Sequence, residues 1–106
     1  MLPEGRYSAW FRTDDAEGMG VIELKAGRIT GGDTGLSYFG TYTQDQDQFT
    51  ATIRTERHSP GGIALFGLDE INITLAGKFK DRTGSGTGRV KQVPDVIFNV
   101  TLVRID

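Results

Sequence analysis

Few residues in this chain carry side chains suited to acid–base, nucleophilic or metal chemistry, and their spacing limits what they can do. His58 is the single histidine, set in Glu56-Arg57-His58-Ser59-Pro60. A general base needs an orienting carboxylate and a nucleophile aimed at a common point, which neighbours at a strand end do not provide. An ordinary loop histidine is therefore expected. The absence of cysteine removes thiol nucleophiles, disulfides and thiolate-bound zinc. The carboxylate groupings are Asp14-Asp15 with Glu17, and Asp45 with Asp47. Calcium takes about six to eight oxygens, usually presented by a defined loop, and the EF-hand spacing does not occur. Paired carboxylates of the glycosidase kind work best where one lies in an apolar setting, and neither group lies in an apolar run. Gly31-Gly32-Asp33 has the look of a nucleotide-binding motif, but such motifs feed a helix N-terminus. Here Thr34-Gly35-Leu36-Ser37-Tyr38 runs on into a strand pattern, so glycines at positive φ and an Asp33 that bonds its own turn amides are expected instead. No enzyme, metal or cofactor is expected.

The elements that would position these residues read as strands. Tyr7, Ala9 and Phe11 alternate with Arg6, Ser8, Trp10 and Arg12, and Phe49, Ala51, Ile53 and Thr55 alternate likewise. The clearest segment is Glu70 to Lys80, where Ile71, Ile73, Leu75, Gly77 and Phe79 share one face. A helix would scatter those residues around its circumference, so the period of two specifies a half-buried strand. Strands are also expected over 18–25, 28–30, 37–43, 87–93 and 96–105, with a polar turn over 14–18. An irregular link is expected at 31–35, an exposed loop over 81–86, and a turn starting at Pro94-Asp95. The connection from His58 to Leu68 contains Pro60-Gly61-Gly62 and Ile63-Ala64-Leu65-Phe66, and could hold one helical turn or a lid. About eight short strands joined by hairpin-length links hide their edges most simply as an antiparallel up-and-down barrel, with a sandwich as the alternative.

Length and composition agree with a single all-β domain spanning residues 1–106. The 106 residues are too few for two stable cores. Fifteen glycines fit many turns, and 37% hydrophobic with 25% charged residues is a globular composition. A formal charge of −2 with mixed signs along the chain gives no reason to expect a nucleic-acid partner. No basic stretch precedes an apolar one near Met1, and no apolar run approaches the roughly 18 residues of a membrane span. A cytoplasmic protein without a membrane partner is the expectation.

Two features point outward. Trp10, Phe39, Ile97, Val103 and Ile105 fall on faces opposite the presumed interior. If the first, fourth and last strands were neighbours, they would form a patch suited to self-association. The run Gln44-Asp45-Gln46-Asp47-Gln48 is a polar hairpin connection that doubles as the best-placed surface for a protein partner. Inward, Phe49, Ile53, Ile71, Ile73, Leu75, Phe79 and Phe98 would line a lumen just wide enough to be filled or to hold one small apolar ligand such as a lipid or fatty acid.

Taken in order, Gly5-x-Tyr7, Gly18-x-Gly20, Gly27-x-Ile29-x-Gly31-Gly32-Asp33, Tyr38-x-Gly40-x-Tyr42 and the Asp/Gln turn before Phe49-Thr50-Ala51 form one pattern. Arg57-His58, Phe66-Gly67 and Leu75-x-Gly77 extend it along nearly the whole chain. This pattern resembles the GrlR-like proteins, a family named for a negative regulator of type III secretion. The resemblance implies a lipocalin-like barrel, a homodimer, and a role in binding rather than catalysis. In the founding member an acidic Glu-Asp-Glu-Asp loop captures a transcriptional activator. The matching positions here are Gln44 to Asp47, where two carboxylates remain and glutamine replaces each glutamate. Glutamine keeps hydrogen-bonding capacity but not charge, which weakens steering toward a basic partner.

Overall fold

The computed structural model describes residues 3–14, 16–59 and 70–105, and within them the chain forms eight strands. These are β1 (Gly5–Arg12), β2 (Glu17–Lys25), β3 (Arg28–Gly32), β4 (Leu36–Asp45), β5 (Gln48–Arg57), β6 (Asn72–Lys80), β7 (Thr83–Val90) and β8 (Val93–Arg104). Each pairs antiparallel with the next, and β1 pairs with β8, so the sheet closes into an up-and-down barrel. The expected architecture is the observed one. The place expected for a helical turn or lid lies outside the described residues, apart from His58 and Ser59.

Alternation sorts the side chains as the sequence predicts. Tyr7 and Ala9 of β1, Ile22 and Leu24 of β2, Phe49, Ala51 and Ile53 of β5, and Ile73, Leu75 and Phe79 of β6 are all buried. Their sequence neighbours Arg6, Glu23, Thr50, Thr52, Thr74 and Lys78 face solvent. The lumen of an eight-stranded barrel is narrow, and several large residues fit there because glycines stand opposite them. Phe49 lies across from Gly77, Leu75 and Phe98 lie across from Gly88, and Tyr38 lies across from Gly31. A methyl group at Gly88 would stand 2.5 Å from Leu75 Cδ2 and 2.8 Å from Phe98 Cε1.

Several local expectations are corrected. Residues 81–86 are not a loop: the turn is Asp81-Arg82 alone, and Gly84 and Gly86 face inward on β7. Pro94 does not start the turn into the last strand. The turn is Lys91-Gln92, and Pro94 sits within β8 just past the register shift at Arg89/Val90, where a missing N–H is tolerated. Gly31 and Gly32 belong to β3, and their φ angles are not positive. Glycine is required at Gly31 because a Cβ would run into the carbonyl oxygen of Val21 and come within 2.7 Å of Ile22 Cα. The polar run at 44–48 is also shorter as a connection than expected, since Gln44 and Asp45 end β4, Gln48 opens β5, and only Gln46-Asp47 turns.

Gly77 gives a direct test of the packing account. A Cβ there would meet the Ser85 carbonyl oxygen, Gly86 Cα at 2.7 Å and Phe49 Cζ at 2.8 Å, whereas one at Gly18 meets nothing within 4 Å. In urea denaturation, Gly77→Ala is expected to lose about 2–3 kcal/mol. Gly18→Ala is expected to change stability by less than about 1 kcal/mol. Equal effects at the two positions would refute steric complementarity as the source of the difference.

Candidate functional site

The chemistry-bearing residues gather at the end of the barrel where β3 turns into β4 and β5 ends. Asp33 anchors this cluster. Its Oδ1 accepts from the backbone N–H of Gly35 at 2.8 Å and of Leu36 at 2.7 Å, and its Oδ2 accepts from the Tyr38 hydroxyl. The amide bonds are those expected of an aspartate closing its own turn. The Tyr38 bond was not anticipated, although its signal was present: Tyr38 follows Asp33 by five positions on an inward-facing register of β4.

His58 and Ser59 are engaged in holding the chain. The His58 backbone N–H donates to Gly35 O at 2.9 Å, and its ring Nε2 bonds Asp33 O at 2.9 Å. The Ser59 hydroxyl donates to Thr34 O at 2.7 Å, and Arg57 donates to Ser59 O at 3.0 Å. The imidazole nitrogen thus faces a backbone carbonyl rather than the neighbouring hydroxyl, and the hydroxyl proton is directed at another carbonyl. This arrangement fastens the exit of β5 to the β3–β4 turn. Among the described residues, no group of three His, Asp or Glu side chains converges as metal ligands would.

Electrostatics at Asp33 follow from these contacts. Burial pushes its carboxyl pKa up, but the Tyr38 hydroxyl, the Gly35 and Leu36 amides and the charge of His58 together outweigh it, and the net shift is downward. Tyr38 moves the other way, because burial and the adjacent Asp33 carboxylate both oppose a phenolate.

The lumen contains a cavity of about 70 Å³. Of the residues expected to line a lumen, Phe49, Ile53, Ile71, Ile73, Leu75 and Phe98 border it, and Phe79 is buried outside its lining. The cavity runs up to the Asp33 end, where Phe11, Gly18, Leu36 and Thr55 also border it. At the opposite end Tyr7 is fully buried, with its hydroxyl donating to Pro3 O at 2.5 Å, and Glu4 accepts from the Ala26 N–H.

On the outside, Asp45, Gln46, Asp47 and Gln48 are exposed and Gln44 is half-buried. Gln48 pairs with Lys78 of β6. Gln46 has φ 57°, yet Ala26 and Asp81 open their turns with φ 52° and 59°, so this is a shared turn device that does not single out the hairpin.

The expected apolar patch is redrawn. Phe39 lies on β4, beneath Arg54, and β4 neighbours neither β1 nor β8. Ile97 lies farther along β8, opposite Arg89. What does form is a face across β2, β1 and β8: Trp10 pairs with Met19 and Thr101, and Ser8 pairs with Val21 and Val103. The Ile105 N–H bonds Arg6 O at 2.9 Å, which brings Ile105 to the same face. Met19, 63% exposed, and Val21 were missed in the sequence, although inward Ile22 and Leu24 imply that they point out. No family model matches this chain, and no curated protein matches it.

A carboxylate with a depressed folded-state pKa contributes stability above its unfolded pKa and loses that contribution as pH falls through the folded value. Asp33 is such a group. Wild-type protein is therefore expected to lose more stability than Asp33→Asn on acidification from about pH 5 to about pH 2, measured as urea midpoints across the range. Parallel pH profiles for the two proteins would count against the assignment.

Proposed function

We propose that the protein is a non-catalytic regulatory binding protein of the GrlR-like kind, acting as a homodimer on a protein partner such as a transcriptional regulator. The observation that carries this proposal is the exposed apolar face of Trp10, Met19, Val21, Val103 and Ile105 on β2, β1 and β8. Apolar side chains gathered on one face, rather than scattered singly, are the mark of a surface that another protein covers. A closed barrel offers no free strand edge for pairing, so association has to use a face.

A second copy suits this face. A two-fold interface brings the same patch from both subunits together, so its rim has to be self-complementary. Here the rim carries Arg6 opposite Glu23 and Arg12 opposite Glu17. Trp10 is held in place by a bond from its Nε1 to Glu17 at 3.2 Å and by the Arg12 guanidinium 4.3 Å above its ring. A fixed aromatic is a low-entropy anchor for binding.

The β4–β5 hairpin lies on the far side of the barrel, since β5 is four strands from β1 in either direction. A dimer formed through β1 would leave Asp45 and Asp47 free for a partner. Their spacing matches half of the acidic loop in the GrlR-like pattern, and the glutamines between and beside them favour a partner recognised by hydrogen bonds as much as by charge.

In sedimentation equilibrium the wild type is expected at twice its 11.6 kDa chain mass. The double variant Trp10→Lys/Val103→Lys is expected at once that mass, with an unchanged far-UV spectrum. A wild-type monomer at tens of micromolar, an order-of-magnitude ceiling for a functional homodimer, would remove the self-association half. For the partner half, Asp45→Lys/Asp47→Lys is expected to weaken capture of a basic protein partner about tenfold or more. Undiminished capture by this variant would place the contact elsewhere.

A further inference from the structure

We infer that a second copy lies across β1 and β2 with the two-fold axis running along the strands, midway between them, so that Arg12 of each copy faces Glu17 of the other and Trp10 faces Met19. The inference rests on the self-association half of the proposed function and fixes its geometry.

The pattern of the outer wall is the first reason. The outward residues of β1 are Arg6, Ser8, Trp10 and Arg12, and their cross-strand neighbours on β2 are Glu23, Val21, Met19 and Glu17. One stripe ends in cations and the other in carboxylates, at the same two heights. Sheets packed face to face keep their strands within about 30° of each other, which leaves two choices of two-fold axis in the contact plane. An axis along the strands exchanges the stripes. Arg6 then meets Glu23 of the second copy, Ser8 meets Val21, Trp10 meets Met19, and Arg12 meets Glu17. An axis across the strands reverses each stripe instead, and sets Arg6 against Arg12 and Glu23 against Glu17. Like charges at both ends disfavour that choice.

The state of Arg12 is the second reason. Its Nη2 donates to Thr101 Oγ1 at 3.0 Å, and its Nε is buried without an acceptor. Glu17 stands directly across the ladder, yet its Oε2 accepts from Trp10 Nε1 rather than from the guanidinium. Among the described residues no carboxylate compensates this half-buried cation, which lies over the Trp10 ring. A carboxylate arriving from outside would form a charge-assisted bond there, and the second copy's Glu17 keeps Oε1 to supply it. At the centre, Met19 is the most exposed large apolar residue of the wall, and a thioether against a fixed tryptophan is a favourable contact. Val103 lies beside Ser8 in the same row and Gly32 beside Val21, so the valine of one copy meets a residue of the other with no side chain.

Sedimentation equilibrium of the full chain tests this orientation. Arg12→Glu and Glu17→Arg are each expected to weaken self-association about tenfold or more, because each turns two opposite-charge contacts per dimer into two like-charge ones. Mixed in equal amounts, the two variants are expected to associate within about threefold of wild type, since every glutamate in the mixed dimer faces an arginine. The wild-type dimer is also expected to weaken about tenfold between roughly 20 mM and 500 mM sodium chloride, as the exposed pairs are screened. A wild-type monomer would overturn this inference together with the self-association it rests on. A wild-type dimer that Arg12→Glu leaves unchanged or tightens overturns the orientation alone, and tightening is the signature of an axis across the strands. A mixture no tighter than either variant does the same. Should a variant fail to fold by far-UV dichroism, indifference of the wild-type dimer to salt overturns the orientation without it.

Discussion

The narrowness of the closed cylinder governs most of what this chain does. Eight strands enclose so little space that several of the largest inward side chains face positions where the adjacent strand contributes no side chain. Phe49 against Gly77, and Leu75 and Phe98 against Gly88, are the clearest cases. The same constraint accounts for two features that look unrelated: a glycine content well above that needed for turns, and a lumen reduced to a cavity of about 70 Å³. Glycine in this barrel is mainly a packing residue, and the strand β7, with Gly84, Gly86 and Gly88 facing in, depends on neighbouring strands for its apolar content.

That dependence explains which parts were legible in the sequence. Strands β5 and β6 declared themselves, because Phe49-x-Ala51-x-Ile53 and Ile71-x-Ile73-x-Leu75 carry their periodicity in apolar side chains. The first half of β7 did not, because Thr83-Gly84-Ser85-Gly86 has no hydrophobic residue to alternate and reads as a loop. Pro94 misled for a related reason: proline marks a turn unless a ladder irregularity nearby absorbs its missing donor, and the bulge at Arg89/Val90 is invisible without pairing. At Gly31 the residue type was informative and the inferred cause was wrong, since the constraint comes from strand β2 approaching from the side and leaves the local backbone angle ordinary.

The candidate site divides along the same line. The turn bonds of Asp33 follow from local chemistry and were legible, whereas its partnership with Tyr38 and the engagement of His58 and Ser59 depend on three segments meeting at one rim. The outer apolar face required the strand order and register. Trp10 and Val103 are far apart in sequence and adjoin only because β1 closes on β8, while Phe39, matched with them by its outward direction, is carried to another side of the barrel.

That closing seam also shapes how the protein is made. Strand β1 leaves the ribosome before the other seven strands, and it receives its second partner only when β8, ending at Arg104, has followed. Until then β1 and the growing strand each present an unpaired edge, and the glycine-rich β7 has no Phe98 to pack against. The nascent chain therefore passes through open, adhesive sheets and gains its closed ladder late, with the long loop-closure step that slows assembly of non-local strands.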